Sequence, residues 1–157
     1  LGLVVGDNGY GHLLARRAAQ ARLRFLVSHD PPTGLLSRQG LLDLPPTGQN
    51  RVLVVLQAQL LDELRATLGH EVVDALLLRF AQRLSHAGFS ELARIGPANF
   101  VLCDLDDGDA DRLARTARQL IATLSGTYYV HGHNLHLEVV AGYAAGSASR
   151  SDLLNKA

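Results

Sequence analysis

The sequence predicts an α/β domain of the α+β kind, with strands and amphipathic helices in the order β, α, α, β, β, α, β. Three observations predict it. Residues 52–56, VLVVL, are an unbroken apolar run between polar neighbours, the pattern of a central strand buried on both faces. Two helical periodicities follow with no strand between them, one on Leu60, Leu61, Leu64 and Leu68 and the next on Val73, Leu77, Phe80 and Leu84. Two pairs of short apolar segments, each broken by turn residues, then flank a third amphipathic stretch.

Taken in order, residues 11–27 place Leu14, Ala18, Ala21 and Phe25 at 4-3-4 spacing, with arginines elsewhere, and predict a helix. Such a seam can pair as a short coiled coil or lie on its own domain, and fewer than three heptads are present to decide. Pro31, Pro32 and Gly34 end that pattern, and a short helix over residues 39–42 stops at Pro45 and Pro46. After the central strand and its two helices, ELARIG and NFVLCDL form a hairpin around Pro97 and Ala98, an unusual pair for a tight turn because neither residue favours positive φ. Residues 109–124 carry the third helix, with Leu113, Ala117, Leu120 and Leu124 on its apolar stripe and acids in its first turn, where the helix dipole favours them. Residues 128–130 and 135–140 make a second hairpin around Gly132, and Leu153 and Leu154 begin a last helix.

The chain has 157 residues, 47% of them apolar, enough for one substantial core with an appendage. Lys and Arg number 15, as do Asp and Glu, so no net field draws the chain to nucleic acid or to an anionic membrane. No apolar stretch approaches the roughly 18 residues of a membrane span. The single cysteine, Cys103, fits a reducing compartment, and a cytoplasmic location is expected. A chain that starts on LGLVVGDNGYG, without methionine, is expected to be a piece of a longer protein.

Four strings, in order, carry a family resemblance. HDPPTGLLSR resembles the opening HDxLTGLxNR of GGDEF domains, TLGHEVVDALL resembles their tLGHxxGDxLL, ARIGPANFVL stands where they have aRxGGDEFxxl, and SDLLNKA resembles the start of their closing helix. The resemblance implies a nucleotide-cyclase-like (ferredoxin-like) fold, with a mostly antiparallel central sheet flanked by helices. It implies a division into residues 1–27, a linker or signalling helix, and residues 28–157, a degenerate GGDEF domain whose end is missing.

The family joins two GTP molecules into cyclic-di-GMP across a dimer, and metal ions held by carboxylates neutralise the triphosphate and activate the attacking hydroxyl. Matched by the resemblance, those carboxylate positions fall on Gln57 and Gln59 at the strand end and on Ala98 and Asn99 in the turn. Neutral amides and a methyl hold Mg²⁺ poorly. The signature turn becomes Gly96, Pro97, Ala98, Asn99 and Phe100, and Pro97 replaces the glycine that lets backbone approach the nucleotide. The phosphate-contacting lysine matches Asp62, and the guanine-reading asparagine matches Arg65. Asp74 alone retains the family's residue, here as a residual contact to a guanine edge or simply as a favourable charge in a helix's first turn. The family's inhibitory RxxD product site falls on Ala87 and Ser90, with both charges gone.

Other signals have bland readings. His131, His133 and His136 tempt a metal assignment but suit a solvated turn, and neither a metal nor any other cofactor is expected. GDNGYG at residues 6–11 has a superficial likeness to a phosphate loop without its GxxxxGK[ST] spacing and is expected to be a hinge. Adjacent Ser28, His29 and Asp30 cannot converge as a hydrolase triad. The cluster Asp104, Asp106, Asp107, Asp109 and Asp111 lacks the glutamate of a calcium loop and suits a solvated helix start.

The expectation is therefore a domain without cyclase activity that serves as a regulatory, dimerisation or docking module in a cyclic-di-GMP signalling protein. Its expected partners are a neighbouring EAL domain, a second copy through the N-terminal helix, or another protein; no nucleic acid and no membrane insertion is expected. The alternative is a non-catalytic sensor that binds GTP or another nucleotide. An enzyme of altered chemistry would need new catalytic groups, and the sequence offers no constellation for them.

Overall fold

The computed structural model describes residues 2–46 and 48–157, with side-chain surroundings from Tyr10 onward. The chain runs α1 (Gly2–Ser28), β1 (Leu36–Ser37), α2 (Arg38–Leu42), β2 (Arg51–Ala58), α3 (Leu61–Leu68), α4 (His70–Ser85), β3 (Glu91–Arg94), β4 (Asn99–Leu105), α5 (Ala110–Leu124), β5 (Gly126–Val130), β6 (His133–Leu137), β7 (Val139–Gly146) and α6 (Arg150–Lys156). Five strands form the main sheet in the order β1-β3-β4-β2-β7, and β5 with β6 forms a separate ribbon. Only the β1–β3 pairing is parallel; the other pairings of the sheet are antiparallel. This is the α/β, mostly antiparallel, helix-flanked architecture that the sequence predicts.

The central strand explains the two-sided core. Along β2, Val52, Val54, Leu56 and Ala58 point into one cluster with α4, α5 and the β5–β6 ribbon, while Leu53 points into a second with Leu41 of α2 and Leu153 of α6. Strand alternation sends Phe100 and Leu102 of β4 to the first cluster and Val101 and Cys103 to the second. In the larger cluster Phe80 packs against Phe100 with ring centroids 4.7 Å apart. Tyr128, almost fully buried, donates its hydroxyl to the Leu124 carbonyl at 2.6 Å and lies beneath the Arg83 guanidinium at 3.8 Å.

Helix starts follow local chemistry. Ser37, Asp109 and Ser149 each accept a backbone N–H from the first turn of α2, α5 and α6. The aspartate cluster ahead of α5 is engaged in the same way. Asp106 accepts the Gly108 N–H, Asp107 accepts the Asp109 N–H, and Arg112 bonds the second oxygen of Asp107 at 2.6 Å.

Several boundaries differ from the sequence reading. The strand expected over residues 135–140 is two strands in different sheets, because the chain crosses over at Glu138, whose carbonyl accepts the Gln59 N–H at 2.8 Å. β7 then continues to Gly146 through alanines and glycines of low strand propensity, held by an eight-residue register with β2. The hinge expected at residues 6–11 lies within α1, since a glycine in a helix interior costs only about 1 kcal/mol and does not by itself stop the helix. β1 is a two-residue strand, too short to leave a periodic signal. No described helix is long and apolar enough to cross a membrane.

Candidate functional site: the signature turn and the strand end beside it

The turn closes β3 onto β4. Ile95 donates its N–H to the Asn99 carbonyl at 2.9 Å, and the Ala98 carbonyl accepts the Ala58 N–H at 2.9 Å, which ties the turn to the end of β2. Pro97 is exposed, Gly96, Ala98 and Asn99 are half-buried, and Phe100 anchors the next residue in the core. The Asn99 side chain lies beside Gly96: a Cβ there would meet its Nδ2 at 3.1 Å, a tight contact that a small shift of the amide would relieve.

Gln57 pairs in register with Asn99 across the strands, and Gln59 donates from Nε2 to Oε1 of Gln57 at 3.3 Å. The strand end therefore presents amides that bond one another. At the next residue, Leu60 takes φ 61°, ψ 21° with its side chain exposed, a left-handed conformation that is costly for leucine. It begins α3 without a side-chain cap. Asp62 and Arg65, on the first turns of α3, pair with each other at 3.1 Å.

Arg94 organises the floor. Its Nη1 donates to both oxygens of Asp30 at 3.1 and 3.2 Å, and its Nη2 donates to the Pro97 carbonyl at 2.8 Å. Asp30 also accepts the Thr33 hydroxyl at 2.7 Å. The Arg94 Nε is buried without a hydrogen-bond partner. Asp30, Arg65, Arg94, Ile95, Gly96 and Pro97 together line an open cleft of about 510 Å³. Thus the structure brings Gly96 and Pro97 together with Arg65 and a pair that sequence reasoning missed, Asp30 and Arg94. They are 64 residues apart, and their only signal was membership of two separately noted motifs.

Other predicted positions stand apart from that cleft. Asp74 is the fifth residue of α4, half-buried and not among the cleft's lining; the first-turn acid is Glu71, so a simple end-charge reading of Asp74 is corrected by the helix starting at His70. Ala87 lines a smaller cleft of about 190 Å³ with Asp104, Asp107 and Arg112; Asp107 and Arg112 already pair, and the single proton of the Ser90 hydroxyl is shared between the Cys103 carbonyl and Oδ1 of Asp104, both 3.2 Å away. His131 and Gly132 form the hairpin turn with φ 47° and 80°, and alternation along β6 puts His133 and His136 on opposite faces. Ser28 shares a hydrogen bond of 2.8 Å with Nδ1 of His29, whose ring stacks on Phe25, while Asp30 is turned to Arg94; the three do not form a triad.

A second ion cluster lies at the opposite end of β3 from the turn. Glu91 accepts from Nε and Nη2 of Arg150 at 3.0 and 2.7 Å and from Arg51 at 3.1 Å. Burial alone would raise the Glu91 pKa, but the Arg150 fork and the Arg51 charge hold it below the ordinary value. Burial, with the Glu91 charge beside it, pushes the Cys103 thiol up to about 11, so it stays protonated and unreactive at neutral pH.

An α/β domain with helices on both faces of its sheet, the β-α-α-β-β-α-β core and a strand-end cleft against a glycine-containing turn define the nucleotide-cyclase-like class. The family model described as "Diguanylate cyclase, GGDEF domain" matches residues 27–157, and the chain belongs to the GGDEF domain family. It is 37% identical to an uncharacterized protein of Mycobacterium tuberculosis H37Rv, over 94% of this chain and 26% of that protein. It is 31% identical to an uncharacterized signaling protein of Caulobacter vibrioides, over 78% of this chain and 17% of that one. The chain therefore spans a minor part of these relatives' length. Among solved structures it is similar to a sensory box/GGDEF family protein from Caulobacter crescentus, with TM-score 0.72 and 25% identity over 82% of this chain and 92% of that one. The coiled coil and GGDEF domain of DgcB from the same organism shares the fold with TM-score 0.78 at 18% identity, over 96% of this chain and 87% of that one.

Proposed function

We propose that this domain makes no cyclic-di-GMP and acts as a degenerate regulatory, dimerisation or docking module in a cyclic-di-GMP signalling protein. The observation that carries this reading is the absence of a carboxylate from the four positions where the family's metal ligands fall. Gln57, Gln59, Ala98 and Asn99 stand there, and Gln59 bonds Gln57 rather than facing a cation as an anion would. Pro97 adds a second obstacle, because its ring fixes φ and occupies space beside the cleft.

What the domain contacts is the other half of the proposal. Along α1 the predicted seam of Leu14, Ala18, Ala21 and Phe25 is exposed, and Leu13, Leu23, Leu26 and Val27 are exposed on other faces of the same helix. An apolar seam of this kind supports pairing with a second copy through α1. A neighbouring EAL domain is the expected partner within a longer protein, by likeness to degenerate family members. A cytoplasmic location goes with this signalling role.

One observation favours a second reading, a nucleotide sensor without turnover: an open cleft of about 510 Å³ is present, lined in part by Arg65 and Arg94. Asp62, paired with Arg65 and 90% exposed, disfavours a triphosphate there. Product formation tests the main proposal. Incubated with GTP and Mg²⁺ or Mn²⁺ at high protein concentration, the domain is expected to give no cyclic-di-GMP above a protein-free blank, and product above that blank overturns the assignment.

A further inference from the structure

We infer that α2 is a lever that couples the foot of α1 to α6 along a route that bypasses the signature turn. Its meaning for signalling rests on the regulatory reading above, but its physical claim is separate. α2 has only five residues and is gripped at both ends by backbone-directed contacts. At its start, Ser37 donates its hydroxyl to the Val27 carbonyl, in the last turn of α1, and accepts the Gly40 N–H at 3.0 Å. One turn on, Gly40 lies so close to α1 that a Cβ would stand 2.0 Å from the Ser28 carbonyl oxygen. Contact of that kind is a hard stop: the end of α1 cannot approach further unless α2 moves with it.

The far end of α2 is held from α6. Nη1 of Arg150 donates to the Leu44 and Pro45 carbonyls at 3.1 and 3.2 Å, while its Nε and Nη2 grip Glu91 at 3.0 and 2.7 Å. One guanidinium therefore fixes the exit of α2, the edge of β3 and the start of α6 together, with its side chain 8% exposed. Between the two grips, Leu41 and Leu153 are fully buried in the same core layer, so α2 and α6 share packing as well as a hydrogen-bonded corner.

The foot of α1 thus forks. One branch runs through Asp30 and Arg94 to the Pro97 carbonyl, into the turn whose metal positions are neutral. The other runs through Gly40, Leu41 and the Leu44 and Pro45 carbonyls to Arg150, and each of its joints is a direct contact. A displacement or rotation of α1, such as a change in how its apolar seam is paired, is passed to α6 by that second branch whether or not the turn binds anything. Because coupling between two elements is a free energy, it must also run in reverse: loosening α6 must loosen the end of α1.

Amide hydrogen exchange of the 157-residue chain, read on the millisecond-to-minute scale, tests this with two mild variants. Ser37→Ala cuts the grip on α1 and is expected to speed exchange at residues 150–156 by about tenfold, within the range of ordinary coupling factors. Arg150→Lys keeps the charge but loses the fork, and is expected to speed exchange at residues 25–29 by a similar factor. Residues 126–137, in the ribbon across the sheet, are the control and should be unchanged in both variants. Acceleration confined to each variant's own element and α2 would overturn the lever, as would equal acceleration everywhere, which would be general destabilisation. A chain that made cyclic-di-GMP would sink the regulatory reading and leave this coupling intact, whereas uncoupled exchange with no product would do the reverse.

Discussion

The signature turn and the foot of α1 meet at one ion pair, Asp30 with Arg94, and they differ in what surrounds it. On the turn side, half-buried and exposed residues close a small loop with backbone bonds, and the side chains of Gln57, Gln59, Ala98 and Asn99 there are amides and a methyl. On the α1 side, Ser37, Gly40 and the Arg150 corner interlock three helices and a strand edge through close backbone contacts and a nearly buried guanidinium. The helix joint is interlocked by packing and buried charge, whereas Gln57, Gln59, Ala98 and Asn99, at the strand end and turn, carry no charge. The proposed regulatory role requires a distribution of this kind.

The comparison can be broken by substitution, and the largest effect belongs to the ion corner. Arg150→Ala strips Glu91 of its bidentate partner and leaves two carbonyls without their donor; a loss of about 3 kcal/mol in urea unfolding is expected, with Arg51 limiting the damage. Gly40→Ala follows, with about 2 kcal/mol expected from forcing a methyl into the Ser28 carbonyl. By contrast Pro97→Gly, at the exposed tip of the turn, should cost under about 1 kcal/mol, chiefly through the freer unfolded chain. If Pro97→Gly proved as damaging as Gly40→Ala, the contrast between the two regions would fail.

Acid sharpens the same contrast. Glu91 has a folded pKa below its ordinary value of 4.5, so its contribution is fully present above about pH 4.5 and is lost as pH falls through the depressed folded value. Stability measured across that acid window should fall in the parent chain, and Glu91→Gln should flatten this part of the profile while lowering stability at neutral pH. The smallest effect is a gain. Leu60→Gly removes a leucine from the left-handed region beside the strand end and should stabilise the domain by up to about 1 kcal/mol, read as a raised midpoint of thermal unfolding. Failure to gain would mean that the exposed leucine makes contacts that offset its backbone cost.

Much of the fold was legible because its signals are local. The apolar run of β2, the stripe of α5 and the turn at Gly132 each depend on neighbours a few residues away. The course of β7 was not legible, since VVAGYAAG has weak propensity and is made a strand by pairing with β2. Likewise Glu91, Arg51 and Arg150 are ordinary surface-type residues in the sequence, and only the packing of α6 on the sheet brings Glu91 and Arg150 together across 59 positions. The turn itself was visible because family resemblance pointed to Gln57, Gln59, Pro97, Ala98 and Asn99. Asp30 and Arg94 were in view as motif letters, but their bond to each other and to the Pro97 carbonyl was not.

The most direct test of the central claim, that the turn has lost its hold on nucleotide and metal together, is calorimetric titration of the domain with GTP in the presence of Mg²⁺, with cyclic-di-GMP titrated in parallel. The account predicts no binding heat from either ligand beyond dilution. Saturable GTP binding in the micromolar range would contradict it, and would make the cleft between Arg65 and Arg94 a working nucleotide sensor.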